Sequence, residues 1–150
     1  LSPHLERVAM STVFTMIMKG EIPGRIIWQD EKAVAFFTIE PFQYGHTLVV
    51  PREEIDHWVD MPQDLASHVF GVAHKVSEGL QKAFDPQRVG MIIAGFDVPH
   101  AHIHVWPSQH QSEFTFEQAN RNPDAAAMDE AAAKLREALR ELGYGEFVAD

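Results

Sequence analysis

From residue 99 the chain reads Pro-His-Ala-His-Ile-His-Val-Trp, so that histidine alternates with a small or apolar residue through three repeats. In a strand, successive side chains point to opposite faces. Such a run sends Ala101, Ile103 and Val105 into a core and puts His100, His102 and His104 together on the other face. The pattern predicts a strand over 100–106, closed by Pro107.

The remaining periodicities place the partners of that strand. Ser11 or Thr12 can cap a short helix carrying Val13, Phe14 and Ile17 and ending near Gly20, with a turn at Ile22-Pro23-Gly24. Segments 25–28, 33–39, 46–50 and 89–94 are apolar and β-favouring and read as strands. Between them, 62–84 carries Leu65, Val69, Val72, Val76, Leu80 and Phe84 at three- and four-residue steps, one stripe of a long helix stopped by Asp85-Pro86. Asn122-Pro123 reads as the cap and first residue of a C-terminal helix, striped by Met128, Ala132, Leu135, Leu139 and Leu142 and stopped by Gly143. The order predicts an α+β fold, a mostly antiparallel five-stranded sheet with a long helix packed on it. Residues 1–10 read as a leader or disordered arm, and 11–150 as a single domain including the C-terminal helix.

Composition removes several function classes. The chain has 150 residues and no cysteine, so disulfides, a thiolate nucleophile and a cysteine-based zinc site are excluded. Its net charge of −10, with no basic run, argues against a nucleic-acid partner while leaving room for a small anion held by local donors. No apolar run is long enough to predict a membrane span, and with no targeting segment evident the expected compartment is the cytoplasm.

A row of imidazoles can serve phosphoryl chemistry. A neutral imidazole nitrogen attacks phosphorus, and a protonated neighbour stabilises anionic oxygens. Adjacent histidines repel one another when charged and titrate as a set. The same spacing on a strand also suits a metal, and three hydrogen-bonded histidines with no joint role are the plain alternative. Spacing alone leaves nucleophile and metal ligand both open.

The segment His-Ala-His-Ile-His-Val-Trp resembles the signature of the histidine triad (HIT) family, in which histidines alternate with apolar residues. The likeness extends upstream through Val13-Phe14, Lys19-Gly20-Glu21-Ile22-Pro23, Ala35-Phe36, Pro41 and Gly45-His46-Thr47-Leu48-Val49-Val50-Pro51. It implies a nucleotide hydrolase or transferase that acts at the α-phosphorus of nucleoside phosphoramidates or dinucleoside polyphosphates. The middle histidine, His102, would be the nucleophile and carry a covalent nucleotide, with His100 and His104 supporting it and the phosphate and His46 completing the cluster. Val13, Phe14, Ile17, Ile22, Phe36 and Ile39 would line a base pocket for a purine nucleotide-like molecule, although the same apolar residues would serve equally as plain core. A homodimer is expected, and no metal or other cofactor is required for the chemistry. A catalytically weak nucleotide-binding or scaffold protein is the second reading, and a histidine-cluster metallohydrolase the third.

Three departures from the family pattern stand out. Thr38 takes the place of an acidic residue that holds the ribose hydroxyls, and a hydroxyl is not a charged bidentate acceptor. Ala94 stands where an asparagine lies near the phosphates, and Asp97 where a small hydroxyl residue assists the leaving group; as an acid it could protonate that group, or simply shape a turn. Many bacterial relatives carry Cys-x-x-Cys near the start and a histidine downstream, where this chain has Thr12, Thr15 and Glu54, so a structural zinc is not expected.

Overall fold

A computed structural model describes residues 11–149. Five strands, β1 (Ile26–Gln29), β2 (Ala33–Phe37), β3 (Thr47–Pro51), β4 (Arg88–Ile92) and β5 (Ile103–Ser108), form one sheet in the order β1-β2-β3-β5-β4. Every pairing is antiparallel. Among the described residues three α-helices accompany it: α1 (Val13–Met18), α2 (Gln63–Phe84) and α3 (Ala125–Glu141). The architecture is the α+β arrangement that the periodicities predict.

Alternation divides the sheet into two faces. Ala33, Ala35, Phe37, Val49, Ile103 and Val105 pack against Val69, Val72, Val76 and Leu80 of α2 and against Met128, Leu135 and Leu139 of α3. Val34, Phe36, Leu48 and Val50 point the other way and meet Phe14 of α1 in a second, smaller cluster. The long helices therefore seal one face, and α1 covers only part of the other. His46, His104 and Trp106 belong by parity to this second face.

Element ends differ from the sequence expectation in instructive ways. Of the two caps expected for α1, Thr12 is the one used, accepting a hydrogen bond from the Thr15 N–H, while other ends depart from expectation. Asp124, not Asn122, caps α3 by accepting from the Ala127 N–H at 2.9 Å, which leaves Pro123 ahead of the cap rather than at the first helical position. Asp85 ends α2 in the left-handed conformation (φ 47°), a conformation that Asp tolerates better than most side chains. β5 begins at Ile103, because the Ala101 N–H is taken by the Ile55 carbonyl (2.7 Å) and the His100 N–H by that of Val98 (2.8 Å) rather than by a neighbouring strand. β5 also runs through Pro107 to Ser108: its pairing with β3 stops at Val105, so at Pro107 only β4 lies alongside. β2 stops at Phe37, and β4 at Ile92, short of the expected 39 and 94.

Candidate active site

The open end of the second face holds a cavity of about 600 Å³. Val13, Phe14 and Ile17 of α1, Ile22 beyond it, Phe36, and Thr38 and Ile39 after β2 all line it, together with Asp97 from the loop that follows β4. His46 and His104 form part of its floor. The residues named for a base pocket thus converge on one space. The cavity has further walls that periodicity does not reveal: Glu40, Phe42, Phe96 and, from the irregular segment before α3, Phe116, Ala119 and Arg121. Phe116 sits edge-on to His104 with ring centroids 5.2 Å apart, and Arg121 pairs with Glu40 at 2.8 Å.

The histidines are fixed by their hydrogen bonds, and those bonds dictate which nitrogen carries each proton. A carbonyl oxygen can only accept, so the 2.7 Å contact from His102 Nδ1 to the His100 carbonyl requires the proton on Nδ1. In the neutral ring the lone pair then lies on Nε2, which has no hydrogen-bond partner. On the next residues the logic runs in the opposite sense. The Phe42 N–H donates to His46 Nδ1 at 2.9 Å, so the His46 proton is on Nε2. His46 Nε2 donates to His104 Nδ1 at 3.0 Å, so the His104 proton is on Nε2, again with no partner. His102 thus offers a lone pair and His104 an N–H, with ring centroids 4.9 Å apart.

Burial sets the charge of the supporting rings. Desolvation, followed by repulsion from His104 and His102, pushes His46 down to about 3; desolvation and His102 push His104 down to about 4, against a weak opposing pull from Asp97. Both are neutral near pH 7. The expected protonated neighbour is therefore replaced by a neutral N–H donor, because the sheet face is too well buried to hold a cation there. His100 departs further from expectation. It is fully buried, its Nε2 donates to the Pro51 carbonyl at 2.7 Å, and its Nδ1 meets Thr12 Oγ1 at 2.7 Å. Both ring nitrogens are committed, and neither the His100 nor the His102 ring lines the cavity: the His100 carbonyl orients His102, and Asp97, which lines the cavity, lies between His102 and that space.

Asp97 stands over His102 Nε2. Its Oδ1 lies 3.5 Å from His102 Nε2 and also accepts the Val98 N–H at 3.0 Å, so it shapes its turn as well as covering the ring. Its side chain is 68% exposed, whereas that of His102 has no exposure. A lone pair gives a carboxylate nothing to hold, so the neutral ring does not tie Asp97 in place.

The HIT domain family model matches residues 19–111, which includes His46 and all three alternating histidines. The chain belongs to the HIT family. An uncharacterised HIT-like protein of Methanocaldococcus jannaschii is 35% identical over 99 residues, 63% of this chain and 77% of that one. An adenosine 5′-monophosphoramidase of Schizosaccharomyces pombe is 28% identical over 107 residues, 68% of this chain and 77% of its own length. Among solved structures, a zinc-bound histidine triad family protein of Mycobacterium smegmatis superposes with a TM-score of 0.78 at 27% identity, covering 91% of this chain and 99% of that one. Thr12, Thr15 and Glu54, at the positions the resemblance gives for zinc ligands, are hydrogen-bonded to one another and to His100. Threonine hydroxyls are not zinc ligands of the usual kind, so this set does not fit a structural zinc. Among the described residues, no three His, Asp or Glu side chains converge as a metal site. Nor is any helix among them long and apolar enough to cross a membrane.

Proposed function

We propose that this HIT protein hydrolyses or transfers nucleotides by attack of His102 Nε2 on the α-phosphorus of a nucleoside phosphoramidate or dinucleoside polyphosphate. The observation that carries this reading is the tautomer arrangement: an unpartnered lone pair on His102 beside an unpartnered N–H on His104. In the first step the Nε2–P bond forms as the bond from phosphorus to the leaving group breaks, and the leaving amine or phosphate takes up a proton from solvent. The proton stays on His102 Nδ1, whose hydrogen bond to the His100 carbonyl stabilises the positive ring. His104 Nε2–H donates to a non-bridging oxygen, where charge accumulates in the transition state. In the second step water attacks phosphorus and gives up a proton to solvent as the Nε2–P bond breaks, and the nucleoside monophosphate leaves. Positioning and fixed dipoles supply most of the rate, and no metal enters the proposed chemistry.

The apolar slot of Val13, Phe14, Ile17, Ile22, Phe36 and Ile39 would take the purine-like base, and Thr38 and Glu40 would face the ribose. The S. pombe phosphoramidase favours an amine leaving group for a first assay. Incubation with adenosine 5′-phosphoramidate should release AMP, with or without a strong chelator. His102→Ala should bind AMP and release none from the phosphoramidate; turnover at the wild-type rate would reject His102 as nucleophile.

A second reading, a nucleotide binder with little turnover, draws on the cover that Asp97 places over Nε2. In that case the wild type would bind AMP yet leave the phosphoramidate intact. We also propose a homodimer joined at β4, an edge strand whose Met91 is 36% exposed and which is followed by Ile93 at 37%.

A further inference from the structure

The short helix α1 and the loop after β3 meet at a chain of hydrogen bonds that the proposed reaction does not use directly. Glu54 Oε1 accepts the Thr12 N–H at 2.8 Å and the Thr15 hydroxyl at 2.6 Å. Thr12 Oγ1 accepts the Thr15 N–H at 3.2 Å and lies 2.7 Å from His100 Nδ1. Its alternative acceptor, Thr15 Oγ1, is farther away at 3.3 Å. The directions are self-consistent. The Pro51 carbonyl fixes the His100 proton on Nε2, so neutral Nδ1 accepts the Thr12 O–H, while the Thr15 O–H is spent on Glu54. Burial lowers His100 and favours that neutral ring, despite the Pro51 carbonyl and Glu54 pulling the other way. Partial burial would raise the Glu54 carboxyl, but bonds from Thr15 and Thr12 and the nearby His100 hold it below its usual value.

We infer that Thr12, Thr15 and Glu54 form a metal-free strut that positions the His102 imidazole by way of His100. The strut pins one ring edge of His100 while Pro51 pins the other, and the carbonyl of that same residue holds His102 Nδ1. His100 itself has no ring nitrogen left for substrate, so its use is positional, and the Thr–Thr–Glu set extends that use to the helix. A simple helix cap would need only the Thr12 side chain and the Thr15 N–H. The additional exposed carboxylate, which locks both threonines, gives the set a direction that ends at the nucleophile. The inference rests on the proposed role of His102.

The test combines Thr12→Val, Thr12→Ser and Glu54→Ala, assayed for kcat and KM with adenosine 5′-phosphoramidate and examined by ¹⁵N NMR of the histidine rings without substrate. The wild type should show His102 as a single tautomer protonated on Nδ1. Thr12→Val and Glu54→Ala should mix the tautomers and lower kcat about 10-fold or more at unchanged KM, as small misplacements of a reacting group do. Thr12→Ser, which keeps the hydroxyl, should restore both. Dialysis of the wild type against a strong chelator should leave the His102 signals unchanged. Wild-type tautomer and kcat in both Thr12→Val and Glu54→Ala would overturn the strut. So would equal damage from Thr12→Ser, or signals lost on chelation and regained with zinc. If Thr12→Val does not fold, Glu54→Ala, at an exposed position, decides alone. If the wild type turns over no nucleotide, the proposed function fails while the ring spectra still judge the strut.

Discussion

At the scale of single residues, the protein separates two tasks among chemically identical side chains by what each is bonded to. A carbonyl partner turns the His102 lone pair toward Asp97, a residue of the cavity wall, and a backbone N–H acting through His46 leaves the proton of the cavity-lining His104 on Nε2. Asp97 is the residue that most directly opposes an anionic ligand, since its carboxylate occupies the approach to Nε2. Asp97→Asn should therefore tighten AMP binding several-fold at low salt, an effect that shrinks as salt screens the charge; calorimetric titration at two ionic strengths measures it. Weaker binding by the variant would mean that the carboxylate helps to hold the ligand. The His46 relay gives a second expectation. Replacing His46 with Phe removes the donor to His104 Nδ1, frees the His104 proton to move to that nitrogen, and should lower kcat about 100- to 1,000-fold in steady-state assays, on the scale of losing one oxyanion donor.

At the scale of elements, α2 and α3 are held close by a glycine. A Cβ at Gly79 would lie 2.7 Å from Leu139 Cδ2, so Gly79→Val must push the helices apart and should cost about 1–3 kcal/mol in urea unfolding. Because that contact is on the sheet face away from the histidines, kcat per folded molecule should not change. The same division explains what the sequence reveals. The stripe from Val69 to Leu80 and the alternation through His104 and Val105 are legible because packing imposes a period on residue choice. Strand ends are less so. His100 to His102 keep the alternation of a strand while their backbone bonds go to loops, and Pro107 sits inside β5 because β3 has already ended beside it. Phe116, Ala119 and Arg121 reach the cavity from an irregular segment, where no repeat marks a residue as facing inward. Phe42 and Glu40 are hidden for the same reason, and the Thr12–Glu54 contact joins residues far apart in the chain. The tautomers depend on particular carbonyls and N–H groups, which only the folded backbone brings into place.

At the scale of the whole molecule, the buried histidines tie stability to pH. The folded-state values of His46 (about 3) and His104 (about 4) lie below the ordinary 6.5, so the unfolded chain binds more protons between those limits. Their contribution is fully present above pH 6.5 and is lost as pH falls toward 4, on the order of 1 kcal/mol per pH unit for each histidine. Thermal melts from pH 7 to 4.5 should show this decline, and His46→Phe should flatten it; an identical slope in that variant would assign the decline to other groups. The net charge of −10 makes the molecule as a whole repel the ligand class proposed for it, so binding must come from the local N–H of His104 and the apolar slot. Intact-protein mass spectrometry of wild type quenched during turnover of adenosine 5′-phosphoramidate tests the central claim most directly. The account predicts a protein carrying one adenylyl group, mapped by peptide fragmentation to His102 and absent from His102→Ala. An adenylyl group on another residue, or full turnover by His102→Ala, would contradict it.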